Sequence, residues 1–211
     1  MPTGLGTEMQ WYCPTLNGAT DEPRDLVSDT VNGTYLRISD GGLHARVEAE
    51  SSGAGGTHAF RFFSFNGTII QVPSLVDSGA IGISWWANAE SVTANRVMVV
   101  DGASTTASPT SGGLYVRTVT SQINFYSGNQ NWQTSNQKST GTVNANEWFH
   151  VHMQQRDGRT QVWINGKLDP ALSQNDNPWN TGGTGIASIG GDGRTGGAGN
   201  TTNTFNQYMD D

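Results

Sequence analysis

The 211-residue chain has little charge and less of the positive sign: Asp, Glu, Lys and Arg make up 14% of it, with 11 basic residues against 18 acidic ones and a formal net charge of -7. With no Lys/Arg block either, it lacks the positive surface that a phosphate backbone requires, which excludes nucleic acid as a partner. Anionic membrane surfaces are disfavoured on the same ground. The apolar runs are only a few residues long, far short of the roughly 18 that a spanning helix needs, so membrane insertion is not expected. Cysteine is almost missing too. The lone Cys13 forms no internal disulfide and has no second Cys beside it for a zinc or redox motif, so it reads as a small buried side chain. Residues 1–10 show no basic stretch leading into an apolar core. No secretory signal is read there, and the chain is expected to stay inside a cell or to leave it by another route.

Helical spacing of apolar residues is equally scarce, and what replaces it is alternation of period two between clusters of Gly, Asn, Asp, Ser and Pro. Glycine fills 28 positions and the hydrophobic residues 34%, enough for a packed core in which polarity comes from Ser, Thr, Asn and Gln rather than from charge. The pattern predicts strands over residues 34–38, 43–49, 59–65, 68–72, 81–86, 96–100, 113–118, 123–126, 148–155, 160–165 and 186–189. No composition break divides the chain, so it reads as one all-β domain over residues 1–211, a two-sheet antiparallel sandwich.

The best-resolved local unit runs from Trp148 to Asn165 around Asp157-Gly158, a pair that tolerates the positive φ of a type I′ turn. Counting outward from that turn pairs Arg156 with Arg159, Met153 with Val162, His152 with Trp163, Val151 with Ile164 and His150 with Asn165. Paired residues share a sheet face. Val151, Met153, Val162 and Ile164 then belong to the core, and His150, His152, Trp163 and Asn165 lie together on the reverse face.

Several motifs dissolve on inspection. Gly191, Gly193 and Gly196 satisfy G-x-G-x-x-G, but Gly and Thr follow where a phosphate-binding helix has to begin. Ser135 to Lys138 spells S-x-x-K without the partner motifs of acyl-enzyme chemistry. His150 and His152 alternate onto one side of a strand as two metal ligands do, but a catalytic zinc needs a third protein ligand, and packing beside Trp163 explains them as well. Glu48 and Glu50 are the sharpest enzymatic pair. Two apart on a strand, their carboxylates suit the nucleophile and acid/base of a retaining glycosidase when about 5 Å apart; a solvated strand end is the simpler reading.

Read in order, several segments resemble the laminin G-like branch of the concanavalin A-like lectin and glucanase jelly rolls. They are Trp11 to Leu16, Asp25 to Ser28 with Asn32-Gly33-Thr34, Phe65 to Thr68, Ile81 to Trp86 and Gly112 to Leu114. The most specific is Glu147-Trp148-Phe149-His150-Val151, then Asp157-Gly158, then Val162 to Lys167. The resemblance implies a jelly roll whose members are mostly non-catalytic recognition modules. It also implies a structural calcium ion at Asp25 and Asp210. The glucanases' E-x-D-x-E-like strand is absent, and the family's last strand has no counterpart after Asp210-Asp211, so the sandwich edge near Met209 to Asp211 is expected to be open and completed by a partner.

The expected function is a lectin-like attachment module for a glycan or cell-surface polymer, as an accessory decoration or tail component of a phage virion. On that reading the chain is oligomeric and contacts capsid or tail proteins, lying on the virion surface or in the cytoplasm before assembly. A purely structural assembly role and glycoside hydrolysis by Glu48 and Glu50 are the alternatives. The glycan-binding candidates are His152 and Trp163 from the hairpin register, and Trp132 and Trp179 from polar loops, Trp132 sitting among Asn129, Gln130, Asn131 and Gln133.

Overall fold

The computed structural model describes residues 24–25, 30–31, 34–37, 46–49, 58–62, 68–73, 82–93, 96–101, 114–127, 137–156, 159–171, 186–191, 205 and 207–210. The elements among them are strands: β1 (Arg24–Asp25), β2 (Thr30–Val31), β3 (Thr34–Arg37), β4 (Arg46–Ala49), β5 (His58–Phe62), β6 (Thr68–Pro73), β7 (Gly82–Ala89) and β8 (Arg96–Asp101). They continue with β9 (Leu114–Val119), β10 (Gln122–Ser127), β11 (Gln137–Thr142), β12 (Trp148–Arg156), β13 (Arg159–Ile164), β14 (Lys167–Leu168), β15 (Ile186–Ile189) and β16 (Gln207–Asp210). Each of the eleven strands expected from alternation has its counterpart. The additional ones are short, as in β1, β2 and β14, or polar and without alternation, as in β11, or fall in the family-like ending, as in β16.

Two seven-stranded antiparallel sheets form the sandwich, in the orders β11-β10-β9-β8-β15-β6-β3 and β14-β13-β12-β7-β16-β5-β4, beside a two-stranded sheet of β1 and β2. Runs β8–β11 and β12–β14 are meanders within one sheet, while most other links cross between sheets, giving the jelly-roll interleaving. The hairpin register read from the sequence is the observed one: Val151 pairs with Ile164, His152 with Trp163, Met153 with Val162 and Arg156 with Arg159. Asp157 and Gly158 themselves lie outside the described residues. At the other end of β13, Asn165 and Gly166 carry φ of 51° and 74°, the two left-handed residues of a tight turn into β14.

The expectation of an open edge near Met209 to Asp211 is corrected. β16 is an interior strand: Met209 pairs with Phe60 on one side and with Ala87 on the other. The ladder on both sides satisfies its backbone groups, and the Met209 side chain is buried in the core.

Alternating residues from both sheets fill the space between them, with Phe62, Phe125, Phe149, Met98, Leu114, Ile123 and Met153 fully buried in one cluster. Each such side chain contributes about 1.5–3 kcal/mol. Phe205 stacks edge-on against Phe62 with ring centroids 6.4 Å apart. Gly190 makes that contact possible. Its φ is +81°, its backbone bonds Met98 and Phe205, and a Cβ there would enter the Phe62 ring.

The sheet containing β8 and β9 is buried on both faces. Val97, Val100 and Tyr115 point away from the main core yet are at most 2% exposed, and Asn124 and Ser188 are buried with them. Arg117 shares this face, its Nε donating to Asn124 Oδ1 at 3.1 Å. The face of the other sheet that points away from the core carries half-buried and exposed residues along β7, β12 and β13.

A buried carboxylate ties the sheet edges together. Asp169, just after β14, accepts hydrogen bonds at Oδ2 from Thr140 N and Oγ1, both 2.9 Å, and from Gly141 N at 3.3 Å. Its Oδ1 accepts from Ala171 N at 3.0 Å. Thr140 and Gly141 belong to β11, on the edge of the opposite sheet. Bonds to a charged acceptor exceed neutral ones, and four of them are lost together with the Asp169 carboxylate. Asp169→Ala is therefore expected to lower unfolding free energy by about 3 kcal/mol, and Asp169→Asn by less. Urea denaturation midpoints check the order.

Candidate functional site

Because side chains on a strand alternate, the even-numbered positions of β7 and β12 project from the open sheet on the side away from the core. The ladder sets them in rows. Trp163, His152 and Ser84 form one row across β13, β12 and β7. His150 and Trp86 form the next, and Trp148, Asn88 and Tyr208 the third, across β12, β7 and β16. Gln154 and Gln161 form a further row beyond the first, joined by a 2.9 Å hydrogen bond. At about 3.4 Å per residue the rows are about 7 Å apart, and at about 4.8 Å per strand Trp163 and Tyr208 stand about 20 Å apart along the diagonal.

The first three of these rows each bear a pair of rings. His152 and Trp163 lie with centroids 5.2 Å apart and planes at 50°. Trp86 and His150 lie 4.9 Å apart at 47°. Trp148 and Tyr208 lie 6.4 Å apart at 33°, and the Arg61 guanidinium covers Tyr208 at 4.7 Å from the ring centroid. With these tilts none of the pairs is stacked face to face, and all six rings are half-buried.

His150 is fixed from three directions. Its Nε2 and Ser84 Oγ share a hydrogen bond of 2.8 Å. Its backbone N–H donates to Asn165 Oδ1 at 2.8 Å, and its carbonyl accepts from Asn165 N at 2.9 Å. Burial holds the imidazole below its usual 6.5, and the neighbouring His152 pushes it further the same way. The ring is thus a neutral hydrogen-bonding group at neutral pH.

Of the residues singled out in the sequence, His152 and Trp163 come together on this face. Trp132 and Trp179 lie outside the described residues. Glu48 occupies edge strand β4 opposite Ala59, and Glu50 lies outside the described residues. Asp25 is in β1 opposite Thr30, and Asp210 is in β16 opposite Trp86; neither side chain is among those described. Among the described residues no three His, Cys, Asp or Glu side chains gather as a metal site. No described helix is long and apolar enough to cross a membrane. Sequence reasoning missed Trp86, Trp148, Tyr208 and Ser84. The hairpin places Trp148 on the face of His150 by counting two residues back, whereas Trp86, Ser84 and Tyr208 needed knowledge of which strands flank β12.

A model of the laminin G-like family in the concanavalin A-like lectin/glucanases superfamily matches residues 64–211. The chain belongs to that family. The matched residues hold all three ring rows of the laminin G-like sandwich, while the resembling segments from Trp11 to Thr34 precede them. No curated protein sequence matches the chain. Among solved structures it is similar to domain 4 of AbnA, a GH43 extracellular arabinanase from Geobacillus stearothermophilus, in complex with arabinotriose. That likeness has 16% identity, 90% of this chain and 84% of that one covered, and a TM-score of 0.59. It is also similar to the Ruminococcus gnavus IT-sialidase CBM40 bound to alpha2,3 sialyllactose, at 13% identity, 62% and 73% coverage and a TM-score of 0.48. The carbohydrate-binding module CBM66 from Bacillus subtilis aligns at 8% identity over 84% and 95%, with a TM-score of 0.39.

The His150 environment has a measurable signature. The unfolded chain takes up a proton near pH 6.5 and the folded chain only at lower pH, so between those points the unfolded state binds more protons. The stability contributed by neutral His150 is full above that interval and is lost as pH falls through it. In a ring-proton NMR titration His150 is expected to have its midpoint below 6.5, and His152→Asn is expected to raise that midpoint.

Proposed function

We propose that this laminin G-like sandwich is a non-catalytic glycan-recognition module that binds along the open face through its three ring rows. The observation that carries the reading is the set of half-buried ring pairs Trp163/His152, Trp86/His150 and Trp148/Tyr208 side by side on the one sheet face that points away from the core and is left open. Indole and phenol faces suit the apolar faces of sugar rings, and Ser84, His150, Gln154 and Gln161 offer hydrogen bonds to hydroxyls. The span of about 20 Å across strands and rows suits several linked sugars better than one. The arabinanase domain similar in fold was solved with arabinotriose, which supports the same class of ligand.

The module is proposed to act by attachment, on a larger particle such as a phage virion or in another multi-subunit assembly. A sandwich with one outer face buried and the other open suits a component that presents a single side outward. The alternative of hydrolysis by Glu48 and Glu50 predicts release of reducing ends from β-glucans, and none is expected. Calcium at Asp25 and Asp210 belongs to the same proposal, and a chelator is then expected to lower the thermal midpoint; an unchanged midpoint, with no calcium heat in calorimetry, removes the ion from it.

Calorimetry with a panel of linear arabinan, glucan and sialylated oligosaccharides tests the binding face. Trp86→Ala and Trp163→Ala are each expected to weaken binding about tenfold, the equivalent of about 1.4 kcal/mol, while leaving the fold intact. Binding unchanged in both variants would reject the open face as the site.

A further inference from the structure

Asn88 is out of character with its neighbours. It sits on the outer face of β7, flanked by Trp148 on β12 and Tyr208 on β16. Ser84 on that face is exposed and Trp86 half-buried, yet Asn88 is only 6% exposed. The reason lies in the two rings. Their strands are separated by β7 and stand about 9.5 Å apart, but the ring centroids approach to 6.4 Å, so both side chains lean over the intervening strand.

Under that roof the Asn88 Oδ1 has no hydrogen-bond partner. Burying an amide oxygen without a partner is costly, and an apolar side chain of the same size fills the space without the penalty. The oxygen is therefore an unused acceptor beneath two aromatic rings, next to the Trp86 row. Both rings are half-buried, so parting them takes side-chain rotation, with the Arg61 guanidinium over Tyr208 moving as well, and no change in the ladder.

We propose that Asn88 is the specificity-determining acceptor of the glycan face and that Trp148 and Tyr208 form a two-ring gate over it. This rests on the reading of the face as a glycan site. A sugar hydroxyl entering between the rings donates to Oδ1, and each ring then borders the entering sugar. A hydroxyl suits the position because it both donates and accepts, and so pairs with either end of the amide. The gate stands about 20 Å from Trp163 along the diagonal, at the far end of the ring rows, so it reads one hydroxyl of a bound chain while the remaining rings supply stacking.

The test separates stability from affinity in the full chain, with the tightest linear oligosaccharide of the panel as probe. Asn88→Leu is expected to leave the thermal midpoint unchanged or raised while weakening the probe at least tenfold. A lowered midpoint shows that Oδ1 is satisfied within the free protein, by ordered water for example, and overturns the proposal. Equal affinity of Asn88→Leu and wild type overturns it too, while leaving the glycan face intact if Trp163→Ala still weakens binding. If the wild type binds no member of the panel, the glycan reading fails and this assignment with it. Independently of any variant, the Asn88 side-chain amide signals of the wild type are expected to shift on titration more than those of Gln154 and Gln161; no shift counts against the contact.

Discussion

Two sheets of alternating strands have four faces, and among the described residues the burial of three of them leaves a single face open. The two inner faces close on Phe62, Phe125, Phe149 and their neighbours. The third, outside β8 and β9, holds Val97, Val100 and Tyr115 with a polar pair, Arg117 and Asn124, and is closed as well. The fourth is the surface of β13, β12, β7 and β16. Aromatic side chains there cannot be explained as core, because the residues alternating with them, Trp85, Ala87, Phe149, Val151 and Met209, already are the core.

The side chains of that surface are held in place by groups outside the ring rows. The Asn165-Gly166 turn brings an amide side chain back onto the His150 backbone, which holds the imidazole beside both Ser84 and Trp86. On the edge beyond it, Asp169 gathers donors from β11 and so fixes the meander β12–β14 against the opposite sheet. A similar economy appears where β10 and β11 slip register. There the Ser139 hydroxyl accepts from Ile123 N at 3.0 Å and donates to the Gly141 carbonyl at 2.5 Å, satisfying groups the irregular ladder leaves aside.

How much of this is legible in the sequence depends on the distance over which each signal acts. The hairpin register is readable because a two-residue turn fixes pairing locally, and counting from it gives Val151 opposite Ile164. The all-β class is readable because period two repeats along each strand. The site is half-readable. His152 and Trp163 share one hairpin, but Trp86 and Tyr208 reach the same face through ladders to β7 and β16, whose places beside β12 depend on the whole sandwich closing. β11 escapes notice because Gln137 to Thr142 has no apolar alternation, being held instead by polar bonds to Asp169 and by the neighbouring β10. The C-terminal strand is misplaced at an edge because a family's sequence pattern carries the order of strands along the chain, whereas their order within a sheet is set by tertiary pairing.

The interior position of β16 has a consequence in time. Residues 207–210 separate β7 from β5, so until they are synthesised the open sheet exists only as two unjoined halves, each with an unpaired edge. Its central ladder joins strands more than a hundred residues apart in the chain, a separation that slows pairing. Tyr208 arrives with the same strand, so the third ring row is complete only once the sheet has closed. Until β16 docks, the open face displays two of the three rows, and the third marks the closure of the sheet.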